Sequence, residues 1–381
     1  MLIEEITLNG LLSFGPDSPP LPLRPLNVLV GPNGSGKSNL VEAIGFLRSS
    51  PGNLARSFRK TGGVGEWFWK GRKNENAFLK VAISRTSPIS SVGHEIRFGK
   101  RNGHFEIEAE FIETPPDGQV YFFEKGIGEL INAEGKSRTF GPDEFLTSES
   151  ILSQIKDPVQ YPALTFLANQ YEQVRIYREW SFGRSSVFRA PQPADLPSDR
   201  LEENLSNFGL FLNHLRGFPQ AKKTILDHLG DLYDDLEDFD VRVKGGTVEV
   251  FLTEGNFTIP ASRLSDGTLR YLCLLAILCD PEPPPLLCIE EPELGLHPDV
   301  LPKIADLLIE ASERTQLIVT THSDILVDAM TEEPEAVVVV EKHDRQTRMQ
   351  RLRDVGALGE MLEKYRLGEL WMSGEIGGVR W

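Results

Sequence analysis

Two short stretches carry residue types suited to phosphate chemistry. Gly31 to Ser38 reads G-P-N-G-S-G-K-S, and Leu286 to Pro298 reads LLCIEEPELGLHP. The first fits G-x-x-x-x-G-K-[ST] and lies between an apolar run, Leu26 to Val30, and the helically spaced Leu40, Val41, Ile44 and Leu47. Glycines let the backbone turn its N–H groups inward around phosphate oxygens, and the helix N-terminus adds a favourable dipole. Lys37 then reaches the outer phosphates and Ser38 suits Mg²⁺. Pro32, Asn33, Gly34, Ser35, Gly36 and Asn39 complete the expected cradle. In the second stretch two adjacent carboxylates, Glu290 and Glu291, end an apolar strand. Like charges repel there and a desolvated carboxylate is costly, so the pair needs a cation or a task. Behind a phosphate loop the pair divides the work. Glu290 faces the metal, and Glu291, released at the bend by Pro292, orients or deprotonates the attacking water.

Two more segments extend the pattern. RLSDGTLRYL holds Ser265, Asp266 and Gly267 ahead of an apolar helix, and QLIVTTHSDIL puts His322 at the end of the next strand. Phosphate loop, signature, acid pair and histidine follow in the order of ABC-type ATPases. The chain resembles their RecF, SMC and OLD (overcoming lysogenization defect) group, most closely the short stand-alone members whose acid strand runs on as EPELGLHP. The resemblance implies binding of ATP and Mg²⁺ and a homodimer closed around two nucleotides. Ser265 and Gly267 of one subunit would complete the cage over the other's phosphate loop. Glu290 would support the metal, Glu291 would be the base and His322 the γ-phosphate contact. Gln154, in SILSQIKDP, is similar to the glutamine loop of SMC heads and would reach the metal; an ordinary helix-surface role for it, or Gln170 in its place, stays open.

Departures from that family pattern raise questions of their own. Glu290 stands where aspartate is usual. LSDGT replaces LSGGQ, so Asp266 adds a negative charge near the partner's phosphate. His297 occupies the slot of an aspartate in transporters and is either a contact to the partner's phosphate or a helix-start residue. AVVVVEKHD, ending at Glu341, imitates the start of a TOPRIM nuclease, but Asp344 and Asp354 form no D-x-D pair. Glu341 is therefore expected at the end of the last ATPase strand, and any nuclease action is expected from a separate partner protein.

Elements that must position these residues follow from patterning. The order after Ser265 is helix, strand, helix, strand, helix, strand, as in a mostly parallel sheet. Residues 77–125 alternate as an antiparallel meander, and FDVRVKGGTVEVFL is a hairpin on Gly245-Gly246. The patterning predicts an α/β nucleotide-binding body, and the resemblance implies a P-loop NTPase of ABC-ATPase head type. Residues 1–145 form a first ATPase lobe, 146–260 an inserted, mainly helical lobe, and 261–381 the completion of the ATPase.

Composition narrows the function classes. The net charge of −16 argues against indiscriminate coating of nucleic acid. A local patch remains, Arg56 to Lys73, where Arg56, Arg59, Lys60, Lys70, Arg72 and Lys73 interleave with Phe58, Trp67, Phe68 and Trp69; it is a candidate for direct DNA contact or a solvated loop whose rings pack on the body. Cys273, Cys279 and Cys288 sit in apolar runs and are expected as reduced thiols, MLIEEITLNG carries acids where a secretory signal needs a basic region, and YLCLLAILC is half a membrane span. A cytoplasmic protein is expected. The leading functional expectation is an ATP-hydrolysing switch acting on DNA or on a DNA-directed effector, in repair or antiphage defence. The alternatives are the ATPase subunit of an ABC transporter and a nucleotide-dependent scaffold with negligible turnover.

Overall fold

Apolar runs that end in candidate functional residues become buried parallel strands in the structure, a computed structural model. It describes residues 2–378 except 60–61, 72–75, 85–90, 116–117, 142–143, 179, 181–182, 184–185, 232–234 and 353–357, and not the side chains of Arg56 and Arg59. The central sheet has six strands in the order Arg175–Tyr177, Leu286–Glu290, Gln316–Thr321, Leu26–Val30, Val337–His343 and Gln346–Arg351. The first five are parallel and the last pairs antiparallel with its neighbour. A parallel sheet is covered on both faces, which is why its inner strands carry runs such as LLCI, LIV and VVVV, with apolar side chains on both faces.

The two faces feed two cores. Val28, Leu287, Ile289, Leu317, Val319 and Val337 face one, against the helices Asp266–Leu278 and Leu301–Ser312. Leu29, Leu286, Cys288, Ile318, Val338 and Val340 face the other, against the helix Lys37–Ser49 and the inner side of an eight-stranded antiparallel sheet. That second sheet joins Leu21–Pro22 and Ile3–Asn9 to the meander Asn76–Ser84 through Ser137–Phe140. Each fully buried Val, Leu or Ile contributes about 1.5–3 kcal/mol, so one misplaced strand residue is costly and the register is well specified. Strand ends, and the loops after them, are thereby held at one edge.

Residues 146–260 supply the helices Ile151–Gln154, Pro162–Gln173, Phe208–Leu215 and Pro219–Gly230, and the edge strand Arg175–Tyr177 of the central sheet. They also supply a small sheet built on the hairpin Leu236–Lys244 and Thr247–Glu254. Its turn residues Gly245 and Gly246 have φ of 60° and 79°, the left-handed pair that a two-residue hairpin turn requires. All three cysteines are buried and free.

The aromatic residues of the basic segment belong to the core. Phe58, Trp67, Phe68 and Trp69 are all buried, and Phe58 packs edge-on to Trp67 at 5.1 Å between centroids. They pack on the body and offer no open ring on which a base could stack. Lys60, Arg72 and Lys73 lie outside the described residues, as does Asp354. Lys70 donates to the Gly65 carbonyl at 2.7 Å and pairs with Glu66. Glu341 is not a strand terminus: the strand runs two residues further, and the Glu341 carboxylate accepts the Gly378 N–H at 2.7 Å.

Candidate active site

The strand Leu26–Val30 delivers the chain into residues 31–36, and the helix Lys37–Ser49 begins at their end with Gly36 in a left-handed conformation. Lys37 is buried and its Nζ turns back on the loop, donating to the carbonyls of Gly31 at 2.7 Å and Pro32 at 3.0 Å. Burial pushes its ammonium down to about 8, although Glu291, Glu293 and Glu290 pull the other way. The Ser35 hydroxyl is buried without a hydrogen-bond partner among the described residues. At Gly34 an added Cβ would meet nothing within 4 Å, so the crest of the loop is open.

Ser38 joins this loop to the acid strand. Its hydroxyl donates to Glu290 Oε2 at 3.0 Å. Among the described residues Glu290 Oε1 accepts no hydrogen bond; it stands 3.4 Å from Arg178 Nε, while Arg178 Nη1 bonds Glu42 at 2.6 Å. Burial raises the Glu290 carboxyl above its ordinary range, with Arg178 and Ser38 opposing the shift. The extra methylene of glutamate is thus stretched between the phosphate-loop helix and an arginine just beyond the edge strand.

Glu291 lies one residue further, past the strand, with φ of 49°. Few non-glycine residues adopt this geometry, and it costs on the order of 1–3 kcal/mol. Surrounding contacts impose it. The Glu291 N–H donates to the Thr320 carbonyl at 2.9 Å, and Arg270 Nη2 donates to the Glu291 carbonyl. The Arg270 guanidinium lies 4.4 Å over the Trp180 ring, and Trp180 Nε1 donates to the Glu290 carbonyl at 3.0 Å. Arg270, buried on the signature helix, and Trp180, from the inserted segment, therefore hold both glutamate carbonyls. Glu291 Oε1 is 3.7 Å from His322 Nε2. The half-buried Glu293 accepts the His322 N–H at 2.7 Å and the Thr321 hydroxyl at 2.8 Å, and desolvation raises its carboxyl.

Lys37, Ser38, Glu290, Glu291 and His322 are thus brought to one strand edge. Gln154 has other attachments: its amide donates to the carbonyls of Leu146 and Glu149 at 3.1 and 3.0 Å and accepts the Leu146 N–H at 2.9 Å, closing its own loop. Gln170 lies on the helix Pro162–Gln173. Ser265 caps the helix Asp266–Leu278 through the Thr268 N–H at 3.0 Å. Asp266 pairs with Arg189 Nη2 at 2.5 Å and accepts the Gly183 N–H at 3.1 Å, contacts that hold its carboxyl below the usual range. Its charge is thereby balanced within the chain. Gly267 lies beside the Gly295 carbonyl, 3.3 Å from where its Cβ would be. His297 is largely exposed and starts the turn Pro298–Val300, its Nδ1 accepting the Asp299 N–H at 3.4 Å. Arg178, Trp180, Arg189, Arg270 and Glu293 are further residues of the site, most of them without a sequence motif to mark them. Only Glu293, inside EPELGLHP, and Arg270, inside the signature stretch, had a local signal.

The donor set fits a magnesium nucleotide. Ser38 and Glu290 offer adjacent oxygens of which one, Glu290 Oε1, accepts no hydrogen bond among the described residues; the loop offers a buried ammonium, a hydroxyl without a partner among those residues and an open crest.

A family model described as "AAA domain, putative AbiEii toxin, Type IV TA system" matches residues 26–328. Among solved structures the chain is similar to an SmcHead bound to the C-winged helix domain of ScpA, with 16% identity, TM-score 0.60 and coverage of 92% of this chain and 98% of that one. It is also similar to the Pyrococcus furiosus Smc head domain bound to the C-terminal domain of ScpA (16%, 0.58, 96% and 100%) and to the Thermotoga maritima SMC head domain (15%, 0.50, 92% and 99%). At these identities the likeness speaks for the fold, that of an ABC-type ATPase head. No curated protein matches the sequence.

Proposed function

The chain belongs to this AAA-domain family, and from that premise we propose that it is an ATP-binding and ATP-hydrolysing switch that works as a closed pair of protomers. The observation that supports hydrolysis most is the meeting of Lys37, Ser38, Glu290, Glu291 and His322 at the ends of adjacent parallel strands, where α/β sheets bind ligands. Ser38 and Glu290 would hold Mg²⁺, which when bound neutralises phosphate charge. Lys37 leaves its own loop carbonyls for the outer phosphates. Glu291, exposed beside His322, takes a proton from the attacking water at its carboxylate, and His322 contacts the terminal phosphate.

Residues 1–145 and 261–381 make the ATPase body in this reading, and 146–260 the inserted lobe that brings Arg178, Trp180 and Arg189 to it. Ser265, Asp266 and Gly267 would face the partner's phosphate loop; their described contacts run to Thr268, Arg189, Gly183 and the neighbourhood of Gly295. The closed pair would govern a separate effector, directed at DNA in repair or antiphage defence or acting as the toxin the family description names. The buried rings of the Arg56 to Lys73 segment favour control of a partner protein over base stacking by this chain. Among the described residues no helix is long and apolar enough to cross a membrane.

Steady-state ATP turnover of the wild type and of Glu291→Gln, with light scattering in the presence of ATP, tests this reading. The wild type should turn over, and the variant should lose about a hundredfold or more while accumulating as an ATP-dependent dimer. Equal turnover in both would remove Glu291 from the chemistry. An assembly state indifferent to ATP in both would remove the switch.

A further inference from the structure

Behind the phosphate loop, on the side away from its open crest, lies a hairpin strand beyond the region that the family model covers. Thr347, on the strand Gln346–Arg351, is 2% exposed. Its hydroxyl donates to the Ser35 carbonyl at 2.7 Å, and its backbone N–H donates to the Ser13 carbonyl at 2.8 Å. Ser13 Oγ is 2.6 Å from Thr347 Oγ1 and accepts from Asn39 Nδ2 at 2.6 Å. A hydroxyl has one proton to give. Because the Thr347 proton goes to Ser35, the Ser13 proton goes to Thr347, and the bonds run in one direction from Asn39 through Ser13 and Thr347 to the Ser35 carbonyl. Such chains strengthen one another.

This chain of bonds grips the loop at the Ser35 carbonyl and at Asn39 in the first turn of its helix. It also occupies the space that Gly36 leaves: a Cβ there would lie 2.0 Å from Thr347 Oγ1 and 2.7 Å from Ser13 Oγ. In a trans peptide the C=O and N–H point in opposite directions. With the Ser35 carbonyl anchored on Thr347, the N–H of Gly36 in the same peptide faces away from the hairpin, towards the open side of the loop.

We infer that Thr347 and Ser13 are positioning residues for a nucleoside triphosphate: they fix the Ser35–Gly36 peptide with its N–H directed at the phosphates. The inference rests on the nucleotide reading of the loop. Thr347→Val keeps shape and burial but removes the hydroxyl, whereas Thr347→Ser keeps it. With ATP as the probe in calorimetry, the valine variant should bind about five- to twentyfold more weakly than wild type, the size expected for one buried hydrogen bond and its orphaned carbonyl. The serine variant should stay within about twofold of wild type, and in steady state the valine substitution should raise KM more than it lowers kcat. Should Thr347→Val fail to fold, Ser13→Ala interrupts the same chain and should weaken ATP binding similarly. Wild-type affinity in folded Thr347→Val, or in Ser13→Ala where valine does not fold, overturns the inference. A wild type that binds no ATP overturns the nucleotide reading itself.

Discussion

Replacing Glu291 by glycine should leave the protein more stable than replacing it by alanine, the reverse of the usual order. Its φ of 49° crowds Cβ against the following carbonyl, at a cost of about 1–2 kcal/mol for any residue but glycine. Both substitutions remove the same carboxylate, the same approach to His322 and the same charge beside Lys37, so electrostatics cancel in the comparison. The backbone difference remains. Glycine relieves that strain and gives back about 0.5–1 kcal/mol through the greater freedom of its unfolded chain. It should therefore come out ahead by about 0.5–1 kcal/mol. The side chain at this position is 43% exposed, and an alanine methyl buries too little to alter the sign. At an ordinary negative φ, alanine would lead by about the same amount. Urea unfolding of the two variants in nucleotide-free buffer, compared at equal m-values, reads the sign directly. Alanine equal to or above glycine would refute the left-handed backbone at the proposed base, and with it the account of why Arg270, Trp180 and Thr320 converge there.

Three other outcomes follow from the same site. Lysine has no flat guanidinium to lie on Trp180 while reaching the Glu291 carbonyl, so Arg270→Lys should lower kcat for ATP about five- to fiftyfold with KM within about twofold; an equal fall in affinity would mean general loosening instead. Burial holds Lys37 at about 8, so the charge that meets a polyanion is present below that pH and lost as pH rises through it. ATP affinity in EDTA should weaken about tenfold from pH 7 to pH 9, with proton uptake near pH 8, and a flat profile would show the amine titrating elsewhere. Burial also pushes all three cysteine thiols up, Cys279 to about 12; they should resist a thiol reagent at pH 8 until the protein is denatured, and rapid native labelling would contradict their packing.

Local features of the sequence translated into structure most directly. GPNGSGKS leads from Leu26–Val30 into Lys37–Ser49, and Glu290 ends Leu286–Glu290, because strand period, glycine geometry and helix spacing are set within a few residues. What surrounds the chemistry was harder to see. Arg178 and Trp180 reach Glu290 from more than a hundred positions away, and Arg189 balances Asp266 from a distant segment; no periodicity records such pairs. Asp266 therefore looked like an uncompensated charge. The aromatic residues among the basic ones looked available for stacking because composition does not distinguish a buried Trp67 from an exposed one. The Gln154 amide finds partners within eight residues of itself, which a glutamine pattern does not report.

The strand order of the central sheet also bears on how the chain acquires its shape. Leu26–Val30 is made early, yet its two neighbours, Gln316–Thr321 and Val337–His343, emerge from the ribosome roughly three hundred residues later. Until then a strand that is apolar but for Asn27 has both edges unpaired, the kind of segment that seeks other chains. At roughly 5–20 residues per second that interval lasts from about fifteen seconds to a minute. The eight-stranded sheet, formed from strands that end at Phe140, can fold during that time and shelter one face of the waiting strand, while the phosphate loop takes its final form only after the strand Gln346–Arg351, which carries Thr347, has been synthesised.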